Sequence, residues 1–122
     1  MWRLNHRQDT ARDDFFSSLK PGDAYYKPAW KRVSRFYLEH NSARAPIMVA
    51  FPRWDGTVMQ WCVDTFNDSE PRGWAVTGSL EGRDLTLSPS VNFAGDYHGW
   101  IQGGVLSSDV EGRTFPMFPH TV

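Results

Sequence analysis

The chain has 122 residues and a formal net charge of −1, with 40% hydrophobic and 15% aromatic residues. This length fits one domain with a single core, and the composition excludes a disordered chain. The longest apolar run, residues 47–51, is far shorter than the ~20 residues that span a bilayer. The N-terminal residues also lack an apolar stretch of signal-peptide length. We therefore expect a protein that stays in the cytosol and has no contact with membranes.

Cysteine and histidine are too sparse to build a metal site by spacing. Cys62 is the single cysteine, which excludes an internal disulfide and a Cys-rich zinc site. It lies in the strand-like run 58–63, where a small buried hydrophobe is the simplest interpretation. The histidines are scattered along the chain at positions 6, 40, 98 and 120. We predict no metal and no cofactor.

Charge is distributed unevenly along the chain. Residues 1–53 carry ten Lys or Arg against five Asp or Glu, and residues 54–122 carry three against nine. The densest basic cluster consists of Lys27, Lys31, Arg32 and Arg35. Such a cluster can bind phosphates, but complementarity between the two halves, within a chain or between copies, explains it more simply. We expect a protein partner or a homo-oligomer rather than nucleic acid.

Apolar residues in the segment 10–19 recur with helical spacing. Ala11, Phe15 and Leu19 are four residues apart, and Asp and Thr residues at the start suit a helix cap. A Pro-Gly pair at 21–22 ends the pattern. These features predict a short N-terminal helix.

Residues 24–40 admit two interpretations. Pro28 could be the first residue of a helix on which several apolar residues share a face. The aromatic and β-branched residues of 33–38 also suit a strand, and we favour the strand for that segment.

Short strands separated by turn residues follow. Asp55-Gly56 is a strong hairpin signal, and the Pro-rich tail 115–119 is unsuited to a central strand and should be held across the surface by its rings. The predicted strands are 47–51, 57–64, 74–78, 85–87, 99–101 and 105–106, with a loop at 67–73. The fold class we predict is mainly β (α+β by strict count): a small antiparallel sheet, sandwich or partly open barrel with a short N-terminal helix.

Three short motifs lie between residues 73 and 104. They are a Trp-containing strand that ends in Gly78, the segment Thr-Leu-Ser-Pro-Ser-Val at 86–91, and His-Gly-Trp-Ile-Gln-Gly-Gly at 98–104. In this combination the chain resembles a family of small uncharacterised proteins encoded by phages and prophages, some of which are labelled ammonia monooxygenase. The resemblance covers roughly residues 46–108. We accordingly divide a single domain, 1–122, into an N-terminal helix and basic segment (1–45), this family-like β core (46–108) and a Pro/Phe-rich tail (109–122).

The chain departs from that family in its cysteines. Many relatives have Cys pairs upstream and a Cys immediately before the His, which implies a metal-binding core. Here the position before His98 is Tyr97, and the upstream region offers only Cys62. The resemblance therefore implies a member that has lost the metal ligands.

His98 has a functional and a structural interpretation. It could be a general base or a ligand-contacting imidazole held by the Ser88-Pro89-Ser90 turn. It could instead be a half-buried residue whose ring nitrogens satisfy backbone groups, which we favour. The serines lack the Gly-x-Ser-x-Gly elbow of a nucleophile, so no serine hydrolase is predicted. The binding candidates are Ser90, Tyr97, His98, Trp100 and the basic residues Lys27, Lys31, Arg32 and Arg35, although Trp74 and Trp100 suit core positions.

Three functional classes follow from the resemblance and these motifs. The first is a non-enzymatic phage- or prophage-encoded protein that binds another macromolecule in the host cytoplasm, for example as an inhibitor of a host defence system. The second is a virion component, such as a decoration or tail-associated subunit. The third is a small enzyme centred on His98.

Overall fold

The computed structural model describes residues 1–28, 45–64 and 74–122. Eleven strands lie in these residues, and the one helical element among them is a 3₁₀ turn at Phe16–Ser18. The predicted mainly β class is confirmed, and the small sheets do not close into a barrel. The strands are β1 (Trp2–Arg3), β2 (Asn5–His6), β3 (Asp23–Tyr26), β4 (Ile47–Pro52), β5 (Val58–Cys62), β6 (Ala75–Thr77), β7 (Thr86–Ser88), β8 (Val91–Phe93), β9 (Tyr97–Gly99), β10 (Ile101–Gln102) and β11 (Val105–Leu106).

A four-stranded sheet with the order β2-β3-β4-β5 forms the centre of the molecule. Its β2–β3 pair is parallel and the other two pairs are antiparallel. All six residues of β4 are buried, and their side chains alternate between two apolar clusters. Ile47, Val49 and Phe51 face the first core. Met48 and Ala50 face the second. The sheet is therefore covered on both faces.

The first core joins the two ends of the chain to the smaller sheets. Those sheets have the order β1-β11-β10 and the pairs β6–β7 and β8–β9. Trp2 from β1 and Phe115 from the tail contact edge-to-face in this core, with ring centroids 5.9 Å apart. The core also contains Ile47, Phe51, Leu85, Leu87, Val91, Tyr97, Ile101 and Leu106.

The second core lies under the segment in which we predicted a helix. Phe15 and Leu19 are buried there against Tyr25, as the four-residue spacing required, but the helix is reduced to the single 3₁₀ turn. The hydroxyls of Ser17 and Ser18 donate to the carbonyls of residues 14 and 15, 3.0 and 2.7 Å away. Serines that bond to nearby backbone in this way compete with a continuing helix.

The strands predicted at 47–51, 57–64, 74–78, 85–87 and 105–106 are confirmed to within about two residues. The turn at Asp55-Gly56 joins β4 to β5, and Gly56 has a φ of +83°. Strands β1, β2 and β8 were not predicted, and β3 lies at the start of the ambiguous segment 24–40. The strand predicted at 99–101 is divided between β9 and β10, with Trp100 in neither. The strand predicted at 33–38 and the loop at 67–73 fall outside the described residues.

The tail is held by its rings and by the first residue of the chain, in agreement with the prediction. Phe115 is 8% exposed in the first core, and the backbone N–H of Thr121 donates to the carbonyl of Met1 at 3.0 Å. Across the three described ranges, no helix is both long enough and apolar enough to cross a bilayer.

Gly99 marks a close approach between β9 and the segment after β11. A Cβ at this position would overlap the hydroxyls of Tyr97 and Ser107. We therefore expect Gly99→Ala to lower the free energy of unfolding by about 1–3 kcal/mol, as overpacking does in a dense interior. Denaturant unfolding measures the loss.

The background Tyr97→Phe provides the control, because it removes one of the two obstructing hydroxyls. Gly99→Ala should cost less in that background than in the wild-type protein. An identical cost in both backgrounds would contradict the contact with the Tyr97 hydroxyl.

Candidate functional site

The hairpin β8–β9 sets the position of His98. Its register places Asn92 opposite His98 and Val91 opposite Gly99. The turn closes with the backbone N–H of Asp96 donating to the carbonyl of Phe93 at 2.9 Å. The segment that follows Pro89 therefore runs beside the Tyr97-to-Trp100 segment, which brings the Ser88-Pro89-Ser90 turn to His98.

Three polar side chains form one line of hydrogen bonds across this hairpin. The Oγ atom of Ser90 is 3.1 Å from Nε2 of His98. The opposite ring nitrogen, Nδ1, is 3.2 Å from Oε2 of Glu111. The His98 side chain is 25% exposed and that of Glu111 is 49% exposed. His98 thus bonds two side chains, and the expectation that its ring nitrogens satisfy backbone groups is wrong.

The backbone of His98 is fixed by the turn after β11. Its N–H donates to Oδ1 of Asp109 at 2.7 Å, and its carbonyl accepts from the N–H of Val110 at 2.8 Å. Ser90 is held from the other side, because Nε1 of Trp74 donates to its carbonyl at 3.2 Å. Both partners in the Ser90–His98 contact therefore have an anchored backbone.

Asp109 is the buried charge that organises this turn. Its side chain is fully buried and accepts from the backbone N–H of Arg113 at 2.7 Å and from the guanidinium at 3.0 Å. Burial disfavours the charged carboxylate, but the N–H groups of Arg113 and His98 and the charge of Arg113 outweigh it and lower the Asp109 pKa. Asp109 is therefore ionised at neutral pH.

Tyr97 and Trp100 have opposite environments although both are candidate binding residues. Tyr97 is fully buried, and its hydroxyl donates to the carbonyl of Ser107 at 2.8 Å. Burial raises the Tyr97 pKa to about 12. Trp100 is 40% exposed, so it is a surface ring and our expectation of a core position is wrong. Its centroid lies 6.2 Å from that of His98. Trp74, in contrast, packs against the first core.

The basic candidates do not join this group. Lys27 follows β3 and lines a separate cleft of about 320 Å³ with Tyr25, Met48 and Gln60. Within the described residues no hydrogen bond or ion pair connects Lys27 to His98. Lys31, Arg32 and Arg35 lie outside those residues.

A polar cleft lies elsewhere in the molecule. It has a volume of about 480 Å³ and runs between the β1–β2 segment and the turn that joins β6 to β7. Arg3, His6 and Arg83 line it, whereas Ser90, His98 and Glu111 do not. The hydrogen-bonded residues Ser90, His98 and Glu111 therefore lie outside this cleft.

The His98 ring is arranged to accept a proton from Ser90. When Nδ1 carries the hydrogen and donates to Glu111, the lone pair of Nε2 faces the Ser90 hydroxyl. A nucleophile, a base and an orienting carboxylate in this order define the general arrangement of triad hydrolases. Asn92 lies opposite His98 at a position where its own N–H points away from β9, and that N–H has no partner among the described residues.

Among the described residues, the thiol and the remaining acidic side chains offer no comparable arrangement. Cys62 lies beside Met48, with sulfur atoms 2.9 Å apart, and burial raises the Cys62 pKa. The thiol therefore stays protonated at neutral pH, and Cys62 is half-buried against the second core rather than fully buried as predicted. In the residues that the structure covers, no three His, Cys, Asp or Glu side chains group as metal ligands would.

No protein-family profile, curated protein or solved structure matches this chain. The resemblance to the phage and prophage family thus stays a prediction, and the chemistry of the site rests on its geometry. Sequence reasoning selected Ser90 and His98 but missed Glu111 and Asp109. Both acidic residues lie in the tail, and neither has a spacing or motif that would connect it to His98.

We expect Asp109→Asn to destabilise the protein by about 1–3 kcal/mol at neutral pH, since it weakens three bonds to a buried group. The Asp109 pKa lies below its ordinary value of 3.8. Its stabilising contribution is therefore full above that value and is lost as the pH falls through the lowered pKa. Unfolding measured at neutral and acidic pH should show a shallower acid loss in the variant.

Glu111→Gln is the matched control because its side chain is half-exposed. Its free energy of unfolding should stay within about 0.5 kcal/mol of the wild-type value. A loss for Glu111→Gln equal to that for Asp109→Asn would contradict the special position of Asp109.

Proposed function

We propose that this protein is a small serine hydrolase that acts on ester or amide bonds. The observation that carries the proposal is the continuous line from Ser90 through His98 to Glu111, with contacts of 3.1 and 3.2 Å. Ser90 is the nucleophile, His98 the general base and Glu111 the residue that orients the imidazole and stabilises its charged form.

The reaction would proceed in two halves. Ser90 Oγ attacks the acyl carbon while its proton passes to Nε2 of His98, and the bond to the leaving group breaks as that proton is delivered to it. Water then attacks the acyl-serine, gives its proton to His98, and releases a carboxylic acid as Ser90 regains its hydrogen. The N–H of Asn92, which has no partner among the described residues, is the candidate donor to the developing oxyanion.

The surface around Ser90 favours substrates that present an accessible acyl group. Ser90 is half-buried, and the ring of Trp100 beside His98 is 40% exposed. An exposed indole offers an apolar surface against which an acyl chain or an aromatic leaving group can pack.

Ser90→Ala should abolish stoichiometric labelling by a fluorophosphonate probe, because the probe needs an activated serine oxygen. The same variant and His98→Gln should lower hydrolysis of a p-nitrophenyl ester by about 10²–10⁴-fold while their melting curves stay close to wild type. Probe labelling, ester hydrolysis and thermal melting are measured on the same preparations.

Ser88→Ala is the matched control, since Ser88 is an exposed serine two residues away that does not contact His98. It should retain both labelling and hydrolysis. A wild-type protein that the probe does not label, or labelling that survives Ser90→Ala, would refute the proposal.

A second candidate is a non-enzymatic phage- or prophage-encoded protein that binds a host protein, for example as an inhibitor of a defence system. An exposed apolar pair supports it: Trp54 is 74% exposed and Met117 is 72% exposed. The two belong to one surface, because the sulfur of Met117 covers Gly56 in the turn that contains Trp54. Tryptophan and methionine are enriched where proteins bind one another.

This candidate requires a host protein that binds the wild-type chain at equal stoichiometry. Trp54→Ser combined with Met117→Ser should abolish that binding. Calorimetry with that purified partner measures the loss. Phe16→Ser, which removes a ring that is 55% exposed on the second-core side, is the control and should bind normally. Equal binding by all three proteins would exclude this surface.

The location of the protein distinguishes the virion alternative from the host-directed candidate. A decoration or tail-associated subunit is present in washed particles, whereas a host-directed protein is absent from them and is made early. The phage origin and the placement in host cytoplasm or virion stay predictions.

A further inference from the structure

The outer edge of β5, the side that faces away from β4, has backbone groups that pair with nothing in the described ranges. Hydrogen bonds from Val63 to Ile47 and from Arg53 to Thr57, at 3.0 and 2.9 Å, fix the phase of the β4–β5 ladder. In that phase the N–H groups of Met59 and Trp61 point to β4. Those of Val58, Gln60 and Cys62 therefore point outward, where no described residue pairs with them.

In the part of the chain that the structure describes, this edge lacks the features that usually prevent a strand from pairing with another chain. The sequence of β5 is Val-Met-Gln-Trp-Cys, with no charge, proline or glycine. Trp61 is 40% exposed although it contacts Phe93, at a centroid distance of 5.8 Å. Edge strands in soluble proteins are normally protected by lysine, proline or a bulge.

We propose that β5 pairs with β5 of a second copy of this chain, antiparallel and about a two-fold axis that passes beside Gln60. In this register Gln60 faces Gln60 of the second copy, and Val58 faces Cys62 in both directions. Each of these three pairs forms two backbone hydrogen bonds, so the central sheets of the two copies join into one eight-stranded sheet.

The side chains explain why the occupant is a second copy rather than an unrelated strand. About the two-fold axis Met59 lies opposite Trp61 of the second copy, and this places a thioether against an exposed indole. The glutamine pair can bond through its amides, since the Tyr25 hydroxyl donates to the side-chain oxygen of Gln60 and not to its NH2 group, which can donate to the second copy. No like charges meet, so the strand is complementary to itself.

This interface also differs from an association driven by the uneven charge of the two halves. Because β5 is uncharged, pairing through it should persist when salt shortens the Debye length from ~10 to ~3 Å. Association between the basic and acidic halves would weaken over the same range.

Charge substitutions at Gln60 test the register. Gln60→Glu and Gln60→Lys each place like charges directly opposite in a homodimer, so each should raise the dimer dissociation constant by about tenfold or more. An equimolar mixture of the two variants places opposite charges face to face and should restore the dimer. The four samples are the wild type, the two variants and their equimolar mixture. Sedimentation from micromolar to millimolar concentration, at low and high salt, measures the dissociation constant of each.

Gln8→Glu and Gln8→Lys are the matched controls, because Gln8 is an exposed glutamine that follows β2 at the other side of the sheet. They should dimerise like the wild type, and melting curves confirm that the Gln60 variants are folded. A wild-type monomer at millimolar concentration, or a mixture of the two Gln60 variants that stays monomeric, would overturn the proposal. A dimer that high salt dissociates would assign association to the charged halves instead.

Discussion

Burial of β4 on both faces is the constraint from which the rest of the structure follows. All six residues of Ile47–Pro52 are buried, and their side chains point alternately into two separate cores. Each large aliphatic or aromatic side chain removed from water contributes about 1.5–3 kcal/mol. A strand of this kind needs covering elements on both sides, and the chain supplies them from both ends: the segment that contains Phe15 and Leu19 on one face, and β1 with the C-terminal hairpins on the other.

The candidate site is a consequence of that packing. Phe51 of β4 contacts Phe93 and Tyr97, with ring centroids 5.1 and 5.8 Å away, and so it orients the β8–β9 hairpin. Neighbouring residues in a strand face opposite sides, so a Tyr97 that is buried against Phe51 requires an outward His98. The burial of Tyr97 therefore determines the direction in which the imidazole of His98 points. The hairpin register then places Ser90 beside it.

The sequence predicted what depends on local pattern. Strands β4 to β7 have an apolar pattern and flanking turn residues, and the Pro-Ser and His-Gly motifs placed two of the three polar residues of the site together. Strands β1 and β2 contain two residues each, too few for any periodicity, and they exist because distant partners pair with them. Glu111 reaches His98 from thirteen residues along the chain through a turn held by Asp109, a contact that no spacing rule encodes.

The turn after β11 contains both Asp109, which stabilises the turn, and Glu111, which contacts the imidazole of His98. Asp109 binds the backbone of His98 and one guanidinium nitrogen of Arg113, while the other guanidinium nitrogen lies 3.5 Å from Glu111. The exposed Glu111 thus divides its charge between the arginine and the imidazole, which weakens its hold on His98 compared with a buried carboxylate. Residues 109–113 supply the carboxylate of the site and, with it, three of the four hydrogen bonds described for His98. The Pro- and Phe-rich tail is consequently part of the candidate site, because it supplies the partner of Nδ1 and the two bonds that hold the backbone of His98.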